Sequence, residues 1–161
     1  MSTENSLNDS VSAGYIVDAD KEILRNIISS AEREYPCECC GILIGSYSEN
    51  YIRITGAFET DNNESIAKRA DSFLIDPREI YECERSIMGT GLEITGFYHS
   101  HPDRPAILSK SDEAGMISGQ VYVIISVSKG RCEDITAYIK NDEIIYEATL
   151  DHERNQCVNS K

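Results

Sequence analysis

The spacing of apolar and polar residues divides the chain into short elements. Between Asp20 and Tyr35, Ile23, Ile27 and Ala31 recur at helical spacing, and Leu24 and Ile28 widen the stripe into an amphipathic helix. Asp18 or Asp20 is placed to cap its start, and Pro36 stops it. Gly41-Ile-Leu-Ile-Gly45 is an apolar run between glycines and predicts a buried strand. Tyr51-Ile-Arg-Ile-Thr alternates and predicts its antiparallel neighbour, with Ser48-Glu-Asn as the turn between them. After a polar loop, 60–69, Ser72-Phe-Leu-Ile reads as a short strand. Asp76-Pro77 opens a second helix that ends near Gly89 or Gly91. Leu92–Tyr98 and Val121–Val127 read as strands, with a short helix over Ser111–Ser118 between them. Lys129-Gly130 marks a turn, and Ile135–Ile139 with Glu143–Ala148 forms a hairpin around Asn141-Asp142. Two or three helices therefore accompany roughly six strands. The short connections favour a mixed or antiparallel sheet over repeated βαβ units, an α+β arrangement.

Composition narrows the class. The chain has 161 residues, enough for one domain with a sizeable core. Residues 1–14 and 151–161 are polar and predict a disordered N-terminal segment and a C-terminal tail around a domain over 15–150. The net charge is −13, without Lys/Arg clusters, which argues against nucleic acid as a partner. No apolar run reaches the ~20 residues of a membrane span, and the N-terminus lacks a secretory pattern, so no membrane partner and a cytoplasmic location are expected. The six cysteines are then expected to be reduced thiols. Cys37, Cys39 and Cys40 lack the spacing of a zinc knuckle, and Cys39 or Cys40 reads as a small buried apolar residue.

The chemistry concentrates in Phe97–Asp112, FYHSHPDRPAILSKSD. Two of three histidines stand one residue apart at the end of a predicted strand, so His99 and His101 share a face. Pro102 is expected to end the strand pairing there. Asp112, at the first turn of the next helix, can add a carboxylate oxygen. Three such ligands with one open position are what a catalytic zinc requires, and a water in that position becomes a usable nucleophile. A glutamate that does not bind metal is the usual proton acceptor. Many glutamates are available, and spacing alone selects none. Ser109 lies three residues before Asp112. Its hydroxyl can stabilise an oxyanion or cap the helix, and both roles are compatible.

His99-Ser-His101-Pro102 with Ser109 and Asp112 resembles the motif of the JAMM (MPN-plus) zinc metalloproteases, most closely the small stand-alone prokaryotic members. Pro36-Cys-Glu38-Cys-Cys40-Gly41-Ile-Leu-Ile-Gly45 is similar to the family's upstream segment, and Phe73–Pro77 and Ile94–His99 to its middle. The resemblance spans roughly Asp18 to Leu150. It implies a cytidine-deaminase-like fold, a curved mixed sheet flanked by helices. It implies one zinc ion per chain on His99, His101 and Asp112, with Glu38 as general acid/base and Ser109 supporting the tetrahedral intermediate. It also implies hydrolysis of the amide after the C-terminal Gly-Gly of a ubiquitin-like sulfur-carrier protein. A non-catalytic scaffold for ubiquitin-like proteins and a deubiquitinase-type isopeptidase are the alternatives; the oligomeric state is left open. Two residues depart from the family pattern. Leu108 stands where many relatives have proline, which predicts a looser loop before Ser109. Cys37 beside Glu38 is also less usual.

Overall fold

The computed structural model describes residues 14–151, so the expected terminal segments lie outside it apart from Gly14 and Asp151. In chain order the elements are β1 (Ile16–Ala19), α1 (Lys21–Glu34), β2 (Cys40–Ser48), β3 (Tyr51–Thr60), α2 (Pro77–Ile87), β4 (Glu93–Pro102), α3 (Lys110–Gly115), β5 (Val121–Ser128), β6 (Arg131–Asn141) and β7 (Ile144–Asp151). The sheet is not the open curved one expected. It closes into a seven-stranded barrel in the order β1-β3-β2-β4-β5-β6-β7. Closure comes from β1, which runs parallel to β3 on one side (Ile16↔Tyr51) and to β7 on the other (Ile16↔Thr149). Four residues containing an aspartate carry too little alternation to be read as a strand, so the closing element was missed.

One core ties the barrel to α1. Leu24, Ile27 and Ala31 of the helix pack with buried residues from all seven strands, among them Leu43, Ile54, Tyr98 and Val123. The opposite faces are also covered. Ile42 and Ile44 of β2 pack with Cys83 of α2, and Tyr122 and Ile124 of β5 pack with Ala106 and Met116. Burial on both faces explains why β2 and β5 read as continuous apolar runs rather than alternating ones.

The turns follow their chemistry. Asp76 caps α2 by accepting from Arg78 N at 2.9 Å, with Pro77 at the first helical position. Lys129 and Gly130 both adopt left-handed φ, 49° and 77°, as a tight hairpin between β5 and β6 requires. Asp20 sits at the N-cap of α1 but makes no capping hydrogen bond, because its carboxylate is drawn to Arg53. Ser72–Ile75, expected as a strand, is extended but joins no ladder. Instead Asn62 holds it: its Oδ1 accepts from Leu74 N at 3.1 Å and its Nδ2 donates to Ser72 O at 3.0 Å.

Pro102 does not end β4. The parallel register with β5 continues to Pro102↔Val127. On this strand Ser100 N bonds Cys39 O, so the even-numbered amides face β2. The β2 ladder stops at Cys40↔His99, so proline stands where no backbone partner remains for an N–H. The opposite rail still works, with Asp103 N bonding Val127 O at 2.8 Å.

Candidate metal centre

Tyr98 belongs to the inner core, while Phe97 joins both outer clusters. The alternation of a strand then directs His99 and His101 outward, along the row that Phe97 begins. Both are buried, at 1% and 2% exposure. Their Nε2 atoms lie 3.1 Å apart. Asp112 completes the group, with Oδ1 3.2 Å from His99 Nε2 and Oδ2 3.2 Å from His101 Nε2. One ligand atom from each of the three lies within 4.8 Å of the others. Among the described residues, Cys37, Cys39 and Cys40 join no such group.

The donor set fits a cation. His101 Nδ1 is 2.9 Å from Pro105 O, and a carbonyl only accepts, so the proton sits on Nδ1. In the neutral ring Nε2 then presents a lone pair toward a carboxylate that also only accepts. Burial pushes the His99 pKa down, against the attraction of Asp112, so the His99 ring is neutral near pH 7. Burial alone would raise the Asp112 pKa, but its contacts with the His101 and His99 rings and the Ser109 N–H hold it well below the usual carboxylate range. Two imidazoles, whose ring nitrogens offer lone pairs when deprotonated, and an ionised carboxylate converge at one point, which is the donor set of a metal site. His99 Nδ1 is buried and has no hydrogen-bond partner among the described residues.

Local structure holds these groups in place. Ser109 is the N-cap of α3 in a reciprocal capping box: its Oγ accepts from Asp112 N at 3.0 Å, and Asp112 Oδ2 accepts from Ser109 N at 2.8 Å. The serine thus orients the third ligand through the same geometry that starts the helix. Leu108 is half-buried against the cluster of Ala106, Met116 and Tyr122, which anchors the loop by a side chain. The Phe73 ring stacks on His99 with centroids 4.6 Å apart.

Glu38 reaches the site through strand register. Cys40 pairs with His99 and Cys39 bonds Ser100, so the next step outward sets Glu38 opposite His101. Its carboxyl is 3% exposed, and burial pushes its pKa up to about 7, against the opposing charge of Arg104. That value suits a group that takes and returns a proton at neutral pH. Its neighbours are chemically quiet: burial pushes the Cys39 thiol up to about 12 and the Cys40 thiol up to about 11.

An open groove of about 340 Å³ runs over the cluster, lined by Glu38, His99, Asp112 and the extended run 71–75. Ser111 and not Ser109 lines it. Two functional neighbours escaped the sequence reading. Phe73 was taken as part of a strand, and Arg104, which forms an ion pair with Glu38, carried no signal beyond being the one cation in HPDRPA.

Residues 20–138 match the family model for prokaryotic homologs of the JAB domain, Prok-JAB. Desampylase of Haloferax volcanii is 32% identical over 110 residues, covering 68% of this chain and 76% of that protein. The solution structure of a Desulfitobacterium hafniense protein shares the fold with a TM-score of 0.72 at 21% identity, over 84% of this chain and 91% of that one. A Salinibacter ruber protein, also solved in solution, matches with a TM-score of 0.62 at 27% identity, over 84% and 92% of the two chains. The chain belongs to the Prok-JAB family, and its His99-His101-Asp112 triad makes it a metal-dependent hydrolase of that family.

Proposed function

We propose that the protein is a zinc metallopeptidase that hydrolyses the amide bond after the C-terminal Gly-Gly of a ubiquitin-like sulfur-carrier protein. His99, His101 and Asp112 would hold one zinc ion, which when bound would supply a Lewis acid and lower the pKa of a water toward ~7. Glu38, opposite His101, takes the water's proton and returns it to the leaving amine. Ser109 uses its Oγ as an acceptor for Asp112 N and so positions that ligand, and its unused hydroxyl proton would serve the oxyanion of the tetrahedral intermediate only by turning toward the groove, which Ser109 does not line.

The observation that carries this reading is the groove, whose lining brings His99, Asp112 and the buried carboxyl of Glu38 beside the backbone run 71–75. Leu74 spends its N–H and C=O on Asn62 and Asn63. The alternation of an extended chain turns the backbone groups of Phe73 and Ile75 the other way, where an incoming tail can pair as a strand. Glycines suit so close an approach because they carry no side chain. The desampylase relative supports a tail-cleaving activity.

The test is cleavage of a ubiquitin-like carrier joined through its Gly-Gly to a short peptide, with zinc content measured for each preparation. The native protein is expected to cut after the second glycine, and Glu38→Gln to bind zinc without cutting. Zinc-loaded native protein that binds the tail and never cleaves it would establish a scaffold instead.

A further inference from the structure

We propose that Arg104 is the positioning residue of the Glu38 carboxylate, and that the loop carrying it sets the proton acceptor and the metal ligand His101 together. The inference rests on the reading of Glu38 as the proton acceptor. Glu38 is almost fully buried, and its ion-pair partner is Arg104, through Nη2 to Oε1. Contact at one oxygen leaves Oε2 free to face the groove that Glu38 lines. Arg104 Nε is buried without a hydrogen-bond partner among the described residues, so the guanidinium is held at its tip by Glu38.

The backbone under Arg104 is fixed residue by residue. Asp103 takes a left-handed φ of 53°. Its N–H bonds Val127 O, and its carboxylate accepts from Tyr35 OH at 2.8 Å and Lys129 N at 3.4 Å. The Arg104 carbonyl accepts from Ser126 Oγ at 2.7 Å. The Pro105 carbonyl meets His101 Nδ1 at 2.9 Å and so fixes which ring nitrogen faces the metal site. Three consecutive residues therefore do three jobs: Asp103 anchors the loop to the barrel, Arg104 holds the carboxylate, and Pro105 holds the imidazole. A planar guanidinium defines a carboxylate's orientation better than an ammonium does.

The experiment has two arms. In the first, zinc-loaded native protein, Arg104→Ala and Arg104→Lys are compared on the carrier–peptide fusion, with zinc measured in each. Arg104→Ala is expected to lose about 10-fold or more in kcat with KM within roughly twofold and zinc content unchanged, and Arg104→Lys to recover part of the loss. An unchanged kcat, or a KM increase at constant kcat, would mean that Arg104 is idle or contacts the substrate, and either overturns the proposal. The second arm uses metal-free protein and needs no substrate. Arg104→Ala is expected to lower the thermal midpoint more in the native background than in Glu38→Gln, because an unpaired buried carboxylate remains only in the former. Equal losses in both backgrounds also overturn it. An inactive native protein would sink the peptidase reading, while the metal-free cycle would still decide the pairing.

Discussion

The two faces of β4 follow opposite rules. On the inner face, Tyr98 packs into the core shared with α1, and Ser100 is fully engaged, its N–H bonding Cys39 O and its Oγ accepting from Cys39 N at 2.8 Å. On the outer face, the next residues along the same backbone bring two imidazoles and a carboxylate together with more lone pairs than protons. The inner face is complete by itself. The outer face becomes complete only with a cation, which is where a folded chain is expected to depart from internal satisfaction. A strand stiffened from one side can therefore carry an electronically unfinished site on the other.

Removing a ligand should break that contrast most strongly. Asp112→Asn or His99→Ala is expected to abolish zinc binding and to cut activity by more than the roughly 10–100-fold typical of groups that only orient a ligand. Metal analysis alongside peptide cleavage checks it, and a variant that keeps stoichiometric zinc and full activity removes the assignment. Glu38→Gln comes next, with an expected loss of about 10²–10⁴-fold in kcat and zinc retained.

The same substitution sharpens the comparison through pH. Burial raises the folded pKa of Glu38 from 4.5 to about 7, so the folded state binds a proton more tightly than the unfolded chain does. Its stabilising contribution is complete below pH ~4.5 and lost as pH rises through ~7. Metal-free protein should therefore lose on the order of 3 kcal/mol of Glu38-linked stability across that window. Denaturant titrations from pH 4 to 8 should show this component vanish in Glu38→Gln; an unchanged slope would contradict the burial argument.

A change on the inner side should show the reverse pattern. Leu43→Ala is expected to destabilise by about 2–5 kcal/mol while the kcat of the folded fraction stays native. Active-site titration with chemical denaturation distinguishes the two effects. The smallest change expected is for Ser109→Ala, roughly 1 kcal/mol from the lost cap, with a kcat deficit that exceeds what thermal unfolding explains if the hydroxyl also serves the intermediate.

The sequence made different parts of the molecule legible for identifiable reasons. The triad was readable because strand alternation and a short return loop act over fourteen residues, His99 to Asp112, counted inclusively. Glu38 was not selected by spacing, because only the β2–β4 register brings it opposite His101, and that pairing joins residues about sixty positions apart. The family resemblance supplied it instead. Arg104 was invisible because its partner is set by a loop conformation, not by a periodicity. The helices and most strands followed from apolar pattern, yet barrel closure did not, since β1 draws its stability from two neighbours and shows little pattern of its own. Ser72–Ile75 misled for the opposite reason: it has the composition of a strand, but Asn62 occupies the rail a neighbour would need.

Closure also bears on how copies of this chain behave toward one another. Among the described residues each strand of the barrel has a neighbour on both sides over part of its length, while residues 56–60 of β3 and 131–136 of β6 have a strand partner on one side only. Closure therefore confines strand addition between copies to these short stretches and to the run beside the groove.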